Sequence, residues 1–443
     1  IERIKSVLRD EKLDAVVCAL PANVLLLSGY WPVVGTSLCL TTRDGRVFVA
    51  APGDEFDLAK RGDEDRIHTF RPSSLDEIRQ PLEALRETLG EIARELDLKH
   101  GRVGYECGPW SQPASYAAMN LYGASLAALL KEIFPRAALV SADEMLHRLR
   151  AVKTPQEVER IRKACRIAGR AFAQGARLLR PGLKEFAAVN LFLSPLGVLD
   201  EETRRAGGFV YCMSGANSAL ACAAYARSRA TEIAASDLVL VHCNSYADGY
   251  WTDITRTFYF DEPTGLKGSF YEAVSLARQA ALSAIRPGVC AREVDRAARE
   301  TLKVFGYEKQ FKHSTGHGVG FTAIDANARP RLHPKSDDVL ETGMVFNVEP
   351  AIYVGGYGGL RHCDVVTVTE TGVEVLTPFQ TGLHELQLVF DKSAKAAHAR
   401  SVDVMALIGG HDGTEAQRLT HPINSTALMR AVPFGALVRR MAG

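Results

Sequence analysis

The chain predicts an α/β (α+β) protein with a small N-terminal α/β domain and a larger C-terminal domain whose halves are related by a pseudo-twofold axis. Three observations carry this reading. From Asp14 onward, short apolar runs alternate with helical stretches. Two helix endings repeat the same punctuation, LLRPG at 178–182 and AIRPG at 284–288. Between them, Leu238 to Phe260 reads as two strands joined by a tight polar turn. The predicted divisions are 1–148, 149–389 and an extension, 390–443.

In order, IERIKSVLRDEK predicts an amphipathic helix with Ile1, Ile4, Val7 and Leu8 on one face, rather than a signal peptide. DAVVCAL, SLCLTT, GRVFVA, GRVGYE and AALVSA predict strands, and Leu75–Leu96 and Ser115–Phe134 predict helices. This unit has no phosphate-binding glycine loop and no cluster of metal ligands. The domain boundary falls at Arg148–Thr154. There Thr154, Pro155 and Glu157 form a capping box that opens a helix, with Val158, Ile161, Cys165, Ala168 and Phe172 on its buried face. Each RPG ending should be followed by a further charged helix, which gives the second domain two similar halves. In the strand Tyr250–Phe260, Asp253, Thr255 and Thr257 alternate with Ile254, Arg256 and Phe258, so the carboxylate projects from one face of the sheet, while Tyr250, Trp251 and Phe258 belong to its core. In the extension, Lys392–Arg400 and the segment ending LVRRMAG predict helices, and its glycines form a turn.

Composition is that of an ordinary globular protein: 443 residues, 47% hydrophobic and 24% charged. A net charge of +1 gives no reason to expect nucleic acid or an anionic membrane as partner. No apolar run is long enough to span a bilayer. Nine cysteines without a CxxC pair read as reduced thiols in a cytoplasmic protein.

The chemistry concentrates in four motifs: TDITRTF with Asp253, HSTGHGVG with His313 and His317, FNVEPAIY with Glu349, and GGLRHCDVVTVTETG with Arg361 and Cys363. Carboxylates and imidazole are ligands that hold a water-activating divalent ion. In order and spacing these motifs, over roughly Leu149–Thr377, resemble the pita-bread family of methionine aminopeptidase, aminopeptidase P, prolidase and creatinase. The first domain, with LLLSGY near its start, resembles the amino-terminal domain of creatinase and prolidase.

The resemblance implies a pita-bread fold with its active site between the halves, and a homodimer in which the first domain closes over the partner's site. It also implies a two-metal centre of two aspartates, a histidine and two glutamates. This chain departs from that set. His242 stands where the first aspartate belongs, and Cys363 is the nearest match to the last glutamate. Asp253, His317 and Glu349 remain for one divalent ion, with His242 and Cys363 as softer outer ligands that favour zinc over manganese; iron is also compatible. An empty site and a full two-metal site are the other two states. A substrate-side histidine of the family is replaced by Cys222, and a second one by the Ile324–Asp325 pair, with His333 too far along to match. His313 and Arg361 fit the family's remaining substrate-side histidine and its last-motif arginine. The catalytic candidates are therefore His313, Glu349 and Arg361, with Cys222 and His313 contacting substrate. Three functions follow from the resemblance: a divergent hydrolase of a small peptide or amide, similar to prolidase or aminopeptidase P; a metal-free creatinase-like enzyme on a small nitrogenous substrate; and a non-catalytic peptide-binding module.

Overall fold

A computed structural model describes residues 1–33, 36–60, 66–71, 81–96, 98, 100–107, 123–198, 203–222, 226–325 and 327–389. The expectations for 390–443 lie outside the described residues, as do the beginnings of the helices expected at Leu75 and Ser115.

After helix α1 (Glu2–Asp10), the first domain is built on β1 (Ala15–Cys18). Its alternate residues serve two cores: Ala15 and Val17 face one hydrophobic cluster, Val16 and Cys18 the other. Burial on both faces is why DAVVCAL is continuously apolar. Around it lie α2 (Pro21–Ser28), β2 (Leu38–Thr42), β3 (Val47–Pro52), the short α3 (Phe56–Ala59), β4 (Arg66–Phe70), α4 (Pro81–Glu95), β5 (Arg102–Tyr105), α5 (Ala124–Ile133), β6 (Ala138–Ser141) and α6 (Asp143–Ala151). The strands form one sheet in the order β4-β3-β2-β1-β5-β6, with β1 antiparallel to β2 and parallel to β5. All five expected strands form. Edge strand β4, RIHTF, has only Phe70 buried and so lacks the apolar signal that marks the others.

Helix α7 (Pro155–Leu178) opens with the expected capping box: the Glu157 backbone N–H donates to Thr154 Oγ1, and the Thr154 N–H to Glu157 Oε2. Ile161, Cys165, Ala168 and Phe172 are buried along it. The two RPG endings terminate α7 and α10 (Gly265–Ala284), and Gly182 and Gly288 take the same left-handed φ, +84° and +83°. α8 (Glu185–Leu193) and α11 (Ala291–Val304) follow them. α11 is charged as expected. α8 is not: EFAAVNLFL carries one acid, because the helix packs on α7 and β7 with Phe192 buried against Phe172 and Phe258.

The first half of this domain contributes β7 (Ala206–Ser214), the short α9 (Gly215–Ser218), β8 (Val239–Ala247), β9 (Tyr250–Trp251) and β10 (Ile254–Phe258). The second contributes β11 (Val345–Val348), the hairpin β12 (Ala351–Val354) with β13 (Gly358–Arg361), β14 (Asp364–Val368) and β15 (Val373–Val375); α12 (Leu383–Leu386) closes the described chain. The expected strand from Tyr250 to Phe260 is broken at Thr252–Asp253, because β9 pairs with the end of β8 and β10 with its beginning. The halves join where Thr255 and Cys363 exchange backbone hydrogen bonds. Beside that junction lies Arg256, fully buried. It donates to the carbonyls of Cys363, Thr377 and Phe379 and to Asp364 Oδ1, 2.7 Å away, while Arg278 holds the other Asp364 oxygen. Among the described residues no helix is long and apolar enough to cross a membrane.

Candidate active site

The break between β9 and β10 releases Asp253 from the ladder, and its carboxylate enters the cleft between the halves, 2% exposed. Glu349 sits at the corresponding break between β11 and β12, where Pro350 prevents the strand from continuing. Cys363 arrives from the segment between β13 and β14. One donor atom from each of Asp253, Glu349 and Cys363 lies within 4.8 Å of the others. His317 completes the group: its Nε2 is 3.5 Å from Asp253 Oδ2 and 3.9 Å from Glu349 Oε1.

The orientation of His317 is fixed. Its Nδ1–H donates to the Gly318 carbonyl at 3.0 Å, leaving Nε2 to face the carboxylates, the tautomer a metal ligand requires. Asn347, two residues before Glu349 on β11, accepts the His317 backbone N–H at Oδ1 (2.7 Å) and turns its Nδ2 toward His317 Nε2 and Cys363 Sγ. Burial lowers the basicity of His317, but Asp253 and Glu349 more than reverse this and lift it to about 9. Burial likewise raises the Asp253 carboxyl, while His242, His317 and Arg361 bring it down to about 2. The Cys363 thiol is pushed well above its ordinary range by burial and by the two carboxylates; it donates to the Asp253 carbonyl at 3.1 Å.

His242 lies beside this group but is engaged elsewhere. It projects from β8 opposite Thr255, with Tyr211 stacked on it at 4.6 Å. Its Nδ1 is 3.7 Å from Asp253 Oδ1, yet it accepts from Arg361 Nη2 at 2.9 Å, and Thr255 Oγ1 is equally near. The same guanidinium donates to Thr255 Oγ1 and to Tyr211 Oη, each at 2.9 Å, and lies 3.9 Å from Glu349. Burial, with Arg361 alongside, holds His242 neutral, its pKa down to about 4. At neutral pH the charge on Asp253 is therefore matched by His317 and Arg361. Arg361 does not pair with Asp364, whose carboxylate belongs to Arg256 and Arg278.

His313 stands at the edge of the cleft, Nδ1 4.0 Å from Glu349 Oε1. That Nδ1–H donates to the Ser314 carbonyl, so Nε2 accepts from Tyr353 Oη at 3.0 Å. Cys222 is exposed in the turn after α9 and is not among the clustered donors. Of the Ile324–Asp325 pair, Asp325 is buried in a bidentate pair with Arg150 of α6, and Ile324 is exposed. Asn347, Thr255, Tyr211 and Tyr353 are site residues that the motifs did not single out. For Asn347 the signal was present, since residues two apart on a strand share a face and Glu349 follows it.

Comparison with known proteins gives the family. Residues 159–370 match the model of metallopeptidase family M24, and residues 1–152 that of the creatinase/prolidase N-terminal domain. The chain is 30% identical over 379 residues to the Xaa-Pro dipeptidase of Pyrococcus furiosus, covering 85% of this chain and 97% of that protein. The chain belongs to metallopeptidase family M24. A second relative, the probable dipeptidase PepE of Mycobacterium bovis, is 37% identical over 234 residues, 53% of this chain and 60% of that one. Among solved structures, the prolidase from Pyrococcus horikoshii superposes with a TM-score of 0.68 at 26% identity, covering 85% of this chain and 97% of that one.

Proposed function

We propose that this M24 chain is a hydrolase of small Xaa-Pro peptides that works with a single divalent ion held by Asp253, His317, Glu349 and Cys363. The observation that carries the reading is the convergence of two carboxylates, an imidazole Nε2 of the right tautomer and a thiol in one cleft. A divalent ion bound there would polarise a peptide carbonyl and acidify water. The residues fit one ion. For a second, His242 is the dedicated ligand left, and the permanent cation Arg361 donates to its Nδ1. Placing another cation beside that guanidinium is electrostatically unfavourable at low dielectric.

The remaining residues have defined parts in this reaction. Glu349 lies within 4 Å of His313, His317 and Arg361 and is placed to take the proton of the attacking water. Arg361, fixed by Thr255 and Tyr211, offers positive charge beside Glu349 Oε2, while His317 faces Oε1, and there it would offset the negative charge developing on the substrate. His313, with Tyr353 behind it, is positioned at the entrance to contact substrate, and Cys222 is exposed for the same use. The thiol at 363 favours zinc or iron over manganese. All nine cysteines are free, which supports a reducing, cytoplasmic setting.

The test is hydrolysis of a series of Xaa-Pro dipeptides with zinc, iron or manganese supplied. Activity that falls at least 10³-fold in Asp253→Asn, about 4 kcal/mol of transition-state stabilisation, is the expected result. Absence of hydrolysis with every metal would overturn the reading.

A further inference from the structure

Beyond the metal donors, His317 also lines a second space. A cavity of about 460 Å³ is bounded by Ser314, Gly316, His317, Ile324, Arg331, His333, Lys335 and Ser336. One wall is the segment 329–335, which turns at Pro334–Lys335 and is hydrogen-bonded before that turn alongside the histidine loop: the Thr315 N–H donates to the Leu332 carbonyl, and the Leu332 N–H to the Gly316 carbonyl, each at 2.9 Å. Side chains alternate as far as the turn at Pro334–Lys335: Pro330 and Leu332 are buried, Arg329, Arg331 and His333 are exposed, and Lys335 is exposed in the turn itself, so this open edge carries four basic residues.

The charges on this edge are not balanced. Asp338 serves both Arg331, in a bidentate pair, and Arg329 at 3.3 Å. Asp337 turns away to Arg292. Among the described residues Lys335 makes no ion pair. Ile324, 57% exposed, adds an apolar wall to the same cavity. An aliphatic wall and an unpaired ammonium suit a short methylene chain that ends in a carboxylate.

We propose that this cavity is a specificity pocket for an acidic side chain, so that the preferred substrates are small peptides with Glu or Asp beside the scissile bond and Lys335 is the residue that selects them. The proposal rests on the hydrolase reading, and His317, which lines the cavity and belongs to the donor cluster, is the residue the two share.

The experiment compares Glu-Pro with its neutral isostere Gln-Pro, in both kcat/KM and calorimetric binding to the metal-loaded protein. The same pair is run on Lys335→Glu and on Lys303→Glu, an equal change of charge on an exposed face of α11. The expected result is a preference for Glu-Pro of about fivefold, the upper range for an exposed ion pair, which shrinks toward one at about 1 M salt. It reverses in Lys335→Glu and persists in Lys303→Glu. Equal treatment of the two peptides by the wild type would overturn the proposal while leaving the hydrolase reading intact. An equal loss for both peptides in Lys335→Glu would also overturn it, by assigning the lysine to the C-terminal carboxylate they share. If neither peptide is cleaved, the hydrolase reading fails, and the binding ratio alone decides the pocket.

Discussion

Arg361 and Cys363 lie two residues apart on one side of the site and together set its character. The guanidinium engages His242, and the thiol stands among the clustered donors beside Asp253 and Glu349. Substituting Cys363→Glu restores a hard oxygen donor. After dialysis against equal zinc and manganese, this variant is expected to shift its metal content toward manganese relative to wild type; an unchanged ratio would show that Cys363 takes no part. Gly316 tests the backbone beneath the ligands. A Cβ there would lie 1.9 Å from the Asn347 carbonyl oxygen, an atom that cannot swing aside. Gly316→Ala is therefore expected to cost about 3 kcal/mol or more in urea unfolding and to displace His317, whereas Gly355→Ala, with open space at its Cβ, is expected to leave stability nearly unchanged. Asp253, His317 and Glu349 were legible in the sequence because each sits in a motif bounded by glycine, proline or strand signals. Arg361's hold on His242 was not legible. It depends on β8 and β13, distant in sequence, arriving on either side of Thr255.

Among the elements, the contact between the first domain and the loop after His317 rests on a buried chain of polar groups. Glu106 accepts from the Ala19 and Leu20 N–H groups and from Asn23 Nδ2, Asn23 Oδ1 accepts from Arg150, and Arg150 forks onto Asp325. Removing one partner of such a buried pair leaves the other charge uncompensated, so Arg150→Met is expected to destabilise by about 3–5 kcal/mol in chemical denaturation. Burial raises the Asp325 carboxyl, but Arg150 more than offsets this, and its folded pKa lies below the unfolded value. Its stabilising effect is therefore complete above the unfolded pKa of about 3.9 and is lost as pH falls through the lower, folded pKa. Thermal melts from pH 7 to 3 are expected to fall less steeply at the acid end in Asp325→Asn, from a lower starting point. None of this chain is visible as a pattern in sequence, because its directly bonded partners lie up to 175 residues apart. The elements themselves were more legible. Continuous apolar runs gave the central strands, and Thr154 with Glu157 gave the start of α7. Edge strand β4 escaped notice because its burial is slight, and the break at Asp253 because aromatic and β-branched residues, good strand formers, stand on both sides of it.

At the scale of the whole molecule, two similar halves meet along the Thr255–Cys363 bridge, and each sends one carboxylate into the cleft from an interrupted strand. A divalent ion bound between them ties the halves together in the folded state only. Raising the ion to a hundred times its Kd is thus expected to stabilise the protein by about 2.7 kcal/mol, read as a rise in melting temperature that Asp253→Asn abolishes. The central claim is that the site takes a single ion because Arg361 supplies the second positive charge. Elemental analysis of metal bound per chain, after saturation and removal of excess ion, tests it most directly. One divalent ion per wild-type chain, with none in Asp253→Asn, is the predicted result; two ions per chain, or none at saturation, would contradict it.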